Sequence, residues 1–206
     1  MIPYPKIALV GEMGSGKSFA ALSLKDRYNY RITSFAEPLK NLLVHYLTQS
    51  DPEAGQHTDW EKYVRDRKHN PVIRRSLQFL GDDLARTIHG DDVWIRHFEQ
   101  KNGTILRGIF SQRCVVDDVR YQNEVDYLKQ NGFHIIRITR DALEREAYLA
   151  IEIKRENPDL TDAEIDQLIK EWACHPSEAG IAGLDIDEEV VYTDFRTWVE
   201  DNIGSI

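Results

Sequence analysis

The stretch GEMGSGKS, from Gly11 to Ser18, has the residue types and spacing of a phosphate-binding loop: glycine, four residues, a second glycine, then lysine and serine. Glycines let backbone N–H groups turn inward around phosphates, Lys17 would reach the outer phosphates, and the Ser18 hydroxyl would hold Mg²⁺. The spacing therefore predicts a site for a nucleoside triphosphate with Mg²⁺, with a chance glycine turn as the alternative. The residues predicted to form it are Gly11, Gly14, Ser15, Gly16, Lys17 and Ser18.

A pair of acids ends a second apolar run, CVVDDV, and would serve the same metal ion. The carboxyl ends of parallel strands line the ligand crevice of an open sheet, so Asp117 and Asp118 are expected near the phosphates. Side chains alternate along a strand, so one of the two is expected to face the metal, and the spacing does not say which. A solvated acidic turn is the alternative.

Cations at several positions predict a second anion site at the same edge. Lys40 falls in the first turn of a predicted helix that starts near Glu37, where the helix dipole disfavours a cation unless an anion binds there. Arg120 follows the acid pair, and Arg140 ends a later predicted strand, with Arg145 just over one helical turn further on. Guanidinium groups bind phosphate bidentately, so these arginines are predicted to meet a reacting phosphoryl group, the last two as a lid. Each cation taken alone also fits a solvated helix surface.

The helical stretch VIRRSLQFLGDDLAR offers further polar side chains to that site. Arg75, Gln78 and Asp82 stand at i, i+3 and i+7, which places them on roughly one helix face. Gly81 costs stability in mid-helix, so it is expected either to admit a base or sugar closely or to allow close helix packing. The other candidates nearby are Arg74, Arg86 and Trp94, the last of which would stack on a base or fill the core.

Two anion sites beside a metal ion suit phosphoryl transfer. That reaction needs aligned phosphates and cations over the developing charge, and little covalent help from the protein. No Ser/His/Asp or Cys/His arrangement in the sequence is spaced to suggest a competing nucleophile. The residues predicted to be catalytic are Lys17, Arg120 and Arg140.

The elements that must position these residues alternate along the chain. Apolar runs predicted as strands are separated by helical stretches, which predicts a mainly parallel sheet with helices on both faces in one domain, residues 1–206. The polar segment from Ser50 to Asn70 is predicted to be an irregular insertion. The predicted strands are YPKIALV, YRITSF, CVVDDV, FHIIRIT and EEVVY.

Composition sets limits on partners and compartment. The 206 residues carry a formal net charge of −9, which argues against a protein that coats nucleic acid or anionic membrane. The two cysteines, Cys114 and Cys174, lack metal-type spacing and indicate a reducing compartment. The first apolar run is short and ends in the glycine motif, so it is interpreted as a strand and not as a signal peptide. A cytoplasmic location is therefore expected.

Several motifs, in this order, resemble the deoxynucleoside monophosphate kinases of tailed bacteriophages, from about Ile7 to the last predicted helix. The resemblance implies transfer of the γ-phosphoryl group of ATP to a deoxynucleoside monophosphate with Mg²⁺, in a host cytoplasm. It implies the three-layer α/β/α fold of nucleoside monophosphate kinases, with a five-stranded parallel core. The motifs are GEMGSGKS, SFAEPLK, RRSLQFLGDDLAR, DDVWIRHF, VVDDVRYQNEVDYLKQNGFHIIRITR and HPSEAGI.

The resemblance also assigns regions and residues. It implies an acceptor-binding region at about 36–100 and a lid at about 140–178, and it favours Asp118 as the metal ligand. Met13 and Ser18 depart from the basic and acidic residues that related phage loops often carry. The acceptor site is predicted to use Glu37, Lys40, Arg75, Gln78, Gly81, Asp82, Arg86, Trp94 and Arg120. The lid is predicted to use Arg140, Arg145, Ser177 and Glu178.

Two alternatives stay open at the level of sequence. Another small-molecule kinase with the same loop, acting on a coenzyme precursor or a sugar acid, would carry similar phosphate-binding residues. A nucleotide-binding switch would keep the loop without transferring phosphate, but it needs no second anion site. The sequence leaves open the accepted bases, the role of the 50–70 insertion and whether the protein forms a homodimer.

Overall fold

The computed structural model describes residues 4–51, 59–107 and 113–203, and of residues 104–107 it describes the backbone alone. Five strands form one sheet in the order β2-β3-β1-β4-β5, and every pairing between them is parallel. The predicted α/β fold with a five-stranded parallel sheet is therefore confirmed. The strands are β1 Lys6–Val10, β2 Arg31–Thr33, β3 Cys114–Val116, β4 His134–Thr139 and β5 Glu188–Val191.

Helices cover both faces of the sheet. Alternate residues of β1 point to opposite faces, so that Ala8 and Val10 join one buried cluster while Ile7 and Leu9 join the other. The helices are α1 Lys17–Tyr28, α2 Glu37–Ser50, α3 Trp60–Asp66, α4 Pro71–Gln78, α5 Thr87–His89, α6 Val93–Arg107, α7 Gln122–Gln130, α8 Ala142–Glu156, α9 Asp162–Ala173, α10 Pro176–Ala179 and α11 Phe195–Ile203. None of the helices in the described ranges is long and apolar enough to cross a membrane.

The helix that begins at α4 changes type along its length. The Asn70 side chain accepts hydrogen bonds from the backbone N–H groups of Val72 and Ile73, and a proline follows it in the first turn. Such a cap starts a helix because it satisfies N–H groups that have no partner within the helix. From Phe79 to Arg86 the chain is a π-helix, whose turns are wider than those of α4.

The segment predicted as an irregular insertion contains a helix. Trp60–Asp66 forms α3, capped by the Asp59 side chain, so the prediction is wrong for these residues, while residues 52–58 lie outside the described ranges. Val64 on α3 packs with Leu43 and Ile73 in a small buried cluster that joins α3 to α2 and α4. The hydrophobic face of α3 is short and is surrounded by polar residues, so the sequence shows no clear helical periodicity there.

Helices α8 and α9 fall within the region predicted as a lid. Leu149 and Ile153 of α8 pack against Ile165 and Ile169 of α9, and the same cluster includes Met13 of the glycine-rich loop. The predicted lid region therefore packs against Met13 of this loop.

Candidate functional site

The glycine-rich loop joins β1 to α1 at the carboxyl edge of the sheet. Gly11 and Gly16 have φ values of 149° and 106°, which L side chains rarely adopt. A Cβ at Gly11 would collide with the carbonyl oxygen of Ile138, and one at Gly16 would collide with the ring of Tyr192. Both glycines are therefore required by backbone conformation and by space, as the predicted phosphate-binding loop demands.

Lys17, the first residue of α1, is buried beneath this loop. Its ammonium group donates hydrogen bonds to the carbonyl oxygens of Gly11 at 2.6 Å and Glu12 at 2.8 Å. Burial, and then the nearby Arg120, lower the pKa of Lys17 to about 7, while Glu178 and Asp117 act in the opposite direction. A bound phosphate would favour the charged form of this lysine.

A cavity of about 460 Å³ lies between the loop, the α4 helix and the lid. Most residues predicted for the site line it, and the structure thus brings both predicted anion sites into one space. The predicted residues that do not line the cavity are Gly11, Ser15, Glu37, Arg75 and Arg145.

The exceptions have other partners or positions. Gly11 and Ser15 are buried within the loop. The carboxylate of Glu37 forms an ion pair with Arg65 of α3 at 3.0 Å, and Arg145 pairs with Glu12 at 3.1 Å. Glu37 therefore anchors α3 to α2 in this structure.

Arg74, and not its neighbour Arg75, reaches the cavity. Arg75 is exposed, whereas the Arg74 guanidinium lies 4.9 Å from the ring centroid of Trp172 and 2.9 Å from a carboxylate oxygen of Glu178. The choice of Arg75 assumed uniform helical spacing to Asp82, but the π-helical turn beyond Gln78 changes that register. Arg75 therefore does not line the cavity as expected, and Arg74 becomes the candidate for the predicted acceptor site. Arg74 forms with Gln78 an i, i+4 pair that the sequence already contained.

Gly81 and Trp94 pack against each other in the cavity wall. The Trp94 indole donates a hydrogen bond to the Gly81 carbonyl at 3.0 Å, and a Cβ at Gly81 would approach Leu39 to 2.9 Å. Trp94 belongs to a buried cluster, and both residues line the cavity, so close packing is observed while contact with a base or sugar stays a prediction. Nearby, the Gln78 side-chain nitrogen is buried and has no hydrogen-bond partner within the described part of the chain.

Asp82 and Arg86 form a fixed polar wall with two further residues. Arg86 pairs with Glu124 at 2.7 Å and with Asp82 at 3.2 Å, and the Tyr121 hydroxyl donates to Asp82 at 2.7 Å. The Arg86 guanidinium also lies 3.9 Å from the Tyr121 ring centroid. Burial raises the pKa of Glu124 to about 7, against its hydrogen bonds and the Arg86 charge. These mutual contacts hold the four side chains in place on the cavity wall.

The two acids after β3 have different surroundings. The carboxylate of Asp118 accepts hydrogen bonds from the Ser34 hydroxyl at 2.5 Å and from the N–H groups of Phe35 and Ala36 at 3.0 and 2.8 Å. Asp118 therefore holds the turn between β2 and α2. Both Asp118 and its neighbour Asp117 line the cavity.

Asp117 is the better candidate for the metal. Burial, followed by the Asp118 charge, raises its pKa to about 6, and Lys40 and Lys17 oppose this rise only in part. An incompletely compensated carboxylate, with the exposed Ser18 hydroxyl on the same cavity, is the oxygen donor set that Mg²⁺ prefers. The residues therefore fit the ion. Asp117 joins Asp118 as a predicted carboxylate ligand, and it is the stronger candidate because the turn after β2 holds Asp118.

Aromatic residues around Arg140 had no signal in the sequence. The Arg140 guanidinium lies 4.0 Å from the ring centroid of Tyr192 and 5.0 Å from that of Tyr148. Tyr192 follows β5 and also contacts Phe19 of α1, with ring centroids 5.6 Å apart. Lys68, beside α3, is another cavity residue that the sequence did not single out. Only the folded sheet brings these distant positions together.

Comparisons with known proteins place these features in context. A family model described as deoxynucleotide monophosphate kinase matches residues 46–153. A putative deoxynucleotide monophosphate kinase of Acanthamoeba polyphaga mimivirus is 32% identical over 152 residues, which are 66% of this chain and 75% of the viral protein.

Two solved structures are similar at low identity. A gluconokinase from Sinorhizobium meliloti 1021 has a TM-score of 0.44 and 11% identity, covering 98% of this chain and 90% of its own. The TT1252 protein from Thermus thermophilus has a TM-score of 0.45 and 15% identity, covering 95% and 94%. Neither similarity bears on the chemistry of the site.

Proposed function

The chain belongs to the deoxynucleotide monophosphate kinase family, and from that premise we propose that it transfers the γ-phosphoryl group of ATP to a deoxynucleoside monophosphate, giving the diphosphate and ADP. Family and fold together make it a P-loop kinase. The nature of the acceptor and the use of ATP with Mg²⁺ belong to the proposal.

One observation carries it: a single cavity has a phosphate-binding loop on one wall and separate cations on the others. Lys17 serves the loop, while Lys40, Lys68 and Arg74 line the same cavity from α2, the α3–α4 connection and α4. A second group of cations is expected where the acceptor is itself a phosphate ester. A switch protein or a kinase with a neutral acceptor has no need of them.

Phosphoryl transfer requires the acceptor phosphate oxygen to be aligned with the γ-phosphorus of ATP. The bond between the γ-phosphorus and the bridging oxygen breaks as an acceptor phosphate oxygen bonds to that phosphorus, and the leaving electron pair stays on ADP. Because the acceptor phosphate is largely ionised at neutral pH, no protein base is required. The Mg²⁺ held by Ser18 and Asp117 would neutralise charge on the phosphate oxygens. Lys17 and Arg120 would stabilise the charge that develops during transfer.

The proposal is tested with a coupled assay for ADP across the common ribo- and deoxynucleoside monophosphates. We expect ADP formation that depends on a deoxynucleoside monophosphate. Turnover of a sugar acid or coenzyme precursor, with none of the four common deoxynucleotides accepted, would favour the other kinase class. Slow hydrolysis of ATP that no monophosphate changes would favour the switch.

Adjacent arginines test the corrected acceptor site. Arg74→Ala removes a cation from the cavity, and kcat/KM for the acceptor is expected to fall by about 30-fold, since a buried charge partner is lost. Arg75→Ala alters an exposed side chain and is expected to stay within about twofold of the parent enzyme. Steady-state kinetics with varied acceptor at saturating ATP measures both. Equal losses in the two variants would show that α4 is placed in the wrong rotation.

A further inference from the structure

The carboxylate of Glu178, on the short helix α10, is the meeting point of several charged groups. Its side chain is almost fully buried, at 5% exposure. One carboxylate oxygen contacts Arg74 at 2.9 Å and Arg120 at 2.6 Å. The other accepts a hydrogen bond from the backbone N–H of Met13 at 3.1 Å.

These three partners come from separate parts of the chain. Met13 belongs to the phosphate-binding loop, Arg74 to α4 in the acceptor-binding region, and Arg120 to the connection after β3. Glu178 itself lies where the lid returns to the sheet. One carboxylate therefore fixes two guanidinium groups relative to the loop.

The charges around Glu178 explain why it must be ionised and held there. Lys17, Arg74 and Arg120 would repel one another if they were buried together without a counter-ion. Burial pushes the pKa of Glu178 upward, but the charges of Arg120 and Arg74 outweigh this and hold it below its usual range. The carboxylate is thus negatively charged at neutral pH.

We propose that Glu178 is a positioning residue for phosphoryl transfer. It holds the guanidinium groups of Arg74 and Arg120 next to the phosphate-binding loop, so that both face the phosphoryl group that is being transferred. This inference rests on the proposed function. Arg74 supports it further, because its Nε is buried and has no hydrogen-bond partner among the described residues. That nitrogen remains a donor for a phosphate oxygen while the outer nitrogen is held by Glu178.

The consequence for the lid is direct. The contacts of both arginines with Glu178 form only when α10 is docked, so closure of the lid and assembly of the charged site become one event. Misplacing a positioned group by about 1 Å can cost about 100-fold in rate. The cost should therefore appear in kcat, with smaller effects on the affinity for either substrate.

An alternative role for this carboxylate, as a competitor of ATP, predicts the opposite change in ATP affinity when it is removed. A carboxylate that merely occupies the place of a phosphate would compete with ATP for the same donors. Its removal would then tighten the binding of ATP and of pyrophosphate, and kcat would be maintained.

The test uses Glu178→Gln in the full chain, with the wild-type protein assayed alongside on its best acceptor. We expect kcat to fall by about 30-fold, with both KM values within about threefold. In an Arg120→Lys background the same change should cost less than about fivefold, because residues that act through one another are not additive. A merely structural role would lower the melting temperature without this coupling.

A second variant covers the case in which Glu178→Gln folds poorly. Glu178→Asp keeps the charge but withdraws the carboxylate by one methylene, and an intermediate loss of kcat is expected. Calorimetric titration with ATP and with pyrophosphate separates positioning from competition. A kcat within threefold of wild type in both variants, or tighter ATP binding with kcat maintained, overturns the inference. A wild-type protein that accepts no deoxynucleotide overturns the proposed function instead.

Discussion

Replacing Lys17 by methionine is expected to reduce turnover at saturating ATP by about 100- to 1,000-fold. The methionine keeps the length of the side chain but removes the charge beneath the phosphate-binding loop, and losing one such group from a transition state costs this much. The fold should survive, because burial already disfavours the charged form of this lysine. Steady-state ADP formation, with melting temperature recorded in parallel, measures the effect.

Lys25→Met is a matched control for this change. Lys25 is exposed on the same helix α1, two turns further on and away from the cavity. Its replacement should leave turnover within about twofold of the parent. A near-normal rate for Lys17→Met would remove the loop lysine from the mechanism.

Replacing Asp117 by asparagine is expected to lower turnover by at least about 100-fold and to raise the Mg²⁺ concentration needed for half-maximal activity. A metal ion contributes several kcal/mol to stabilising charge in such reactions. Asp117 and Asp118 both line the cavity, but Asp118 is held by the turn after β2, which leaves Asp117 as the stronger candidate ligand. Folding should not suffer. The pKa of Asp117 is raised to about 6 in the folded protein, so its charged form at pH 7 is a cost to stability that asparagine relieves. A Mg²⁺ titration of the initial rate provides the measurement.

Asp118→Asn gives the contrasting outcome. Asp118 accepts hydrogen bonds from the turn at Ser34, Phe35 and Ala36, so weakening them should lower the free energy of unfolding by about 1–3 kcal/mol. The Mg²⁺ requirement should change little. If Asp118→Asn shifts that requirement and Asp117→Asn does not, the original prediction of Asp118 as the metal ligand stands.

Much of the fold could be predicted because its signals are local. Each predicted strand run contains an observed strand, and the apolar run before the glycine motif became the central β1. The glycine motif also identified the loop, since positive φ at Gly16 leaves little choice of residue. The α3 helix was missed because its few buried side chains, such as Val64, stand among polar residues.

The site was less accessible from sequence wherever it depends on long-range packing. A π-helical turn forms by a choice of hydrogen-bond partner that no residue pattern here indicates, and it changes the register between Arg75 and Asp82 on which the prediction of Arg75 relied. Likewise, alternation along a strand could not predict that Asp118 is held by hydrogen bonds, because the turn that donates them follows a different strand, β2. The sequence predicted no site role for Tyr192. The individual site roles, the two regional divisions, the cytoplasmic location and a homodimer remain predictions.

The position of β1 in the sheet has a consequence for the order in which the protein matures. Lys6 pairs with Cys114 and Ile7 with His134, while Tyr192 covers Gly16. When the ribosome has just completed the glycine-rich loop, the strands that flank β1 in the sheet, β3 and β4, have not yet been synthesised. The loop is therefore synthesised early, but it reaches its folded conformation late. Its folding depends on contacts with residues distant in sequence, and such contacts are slow to form. A ligand that binds this loop would therefore stabilise only chains whose sheet is already assembled.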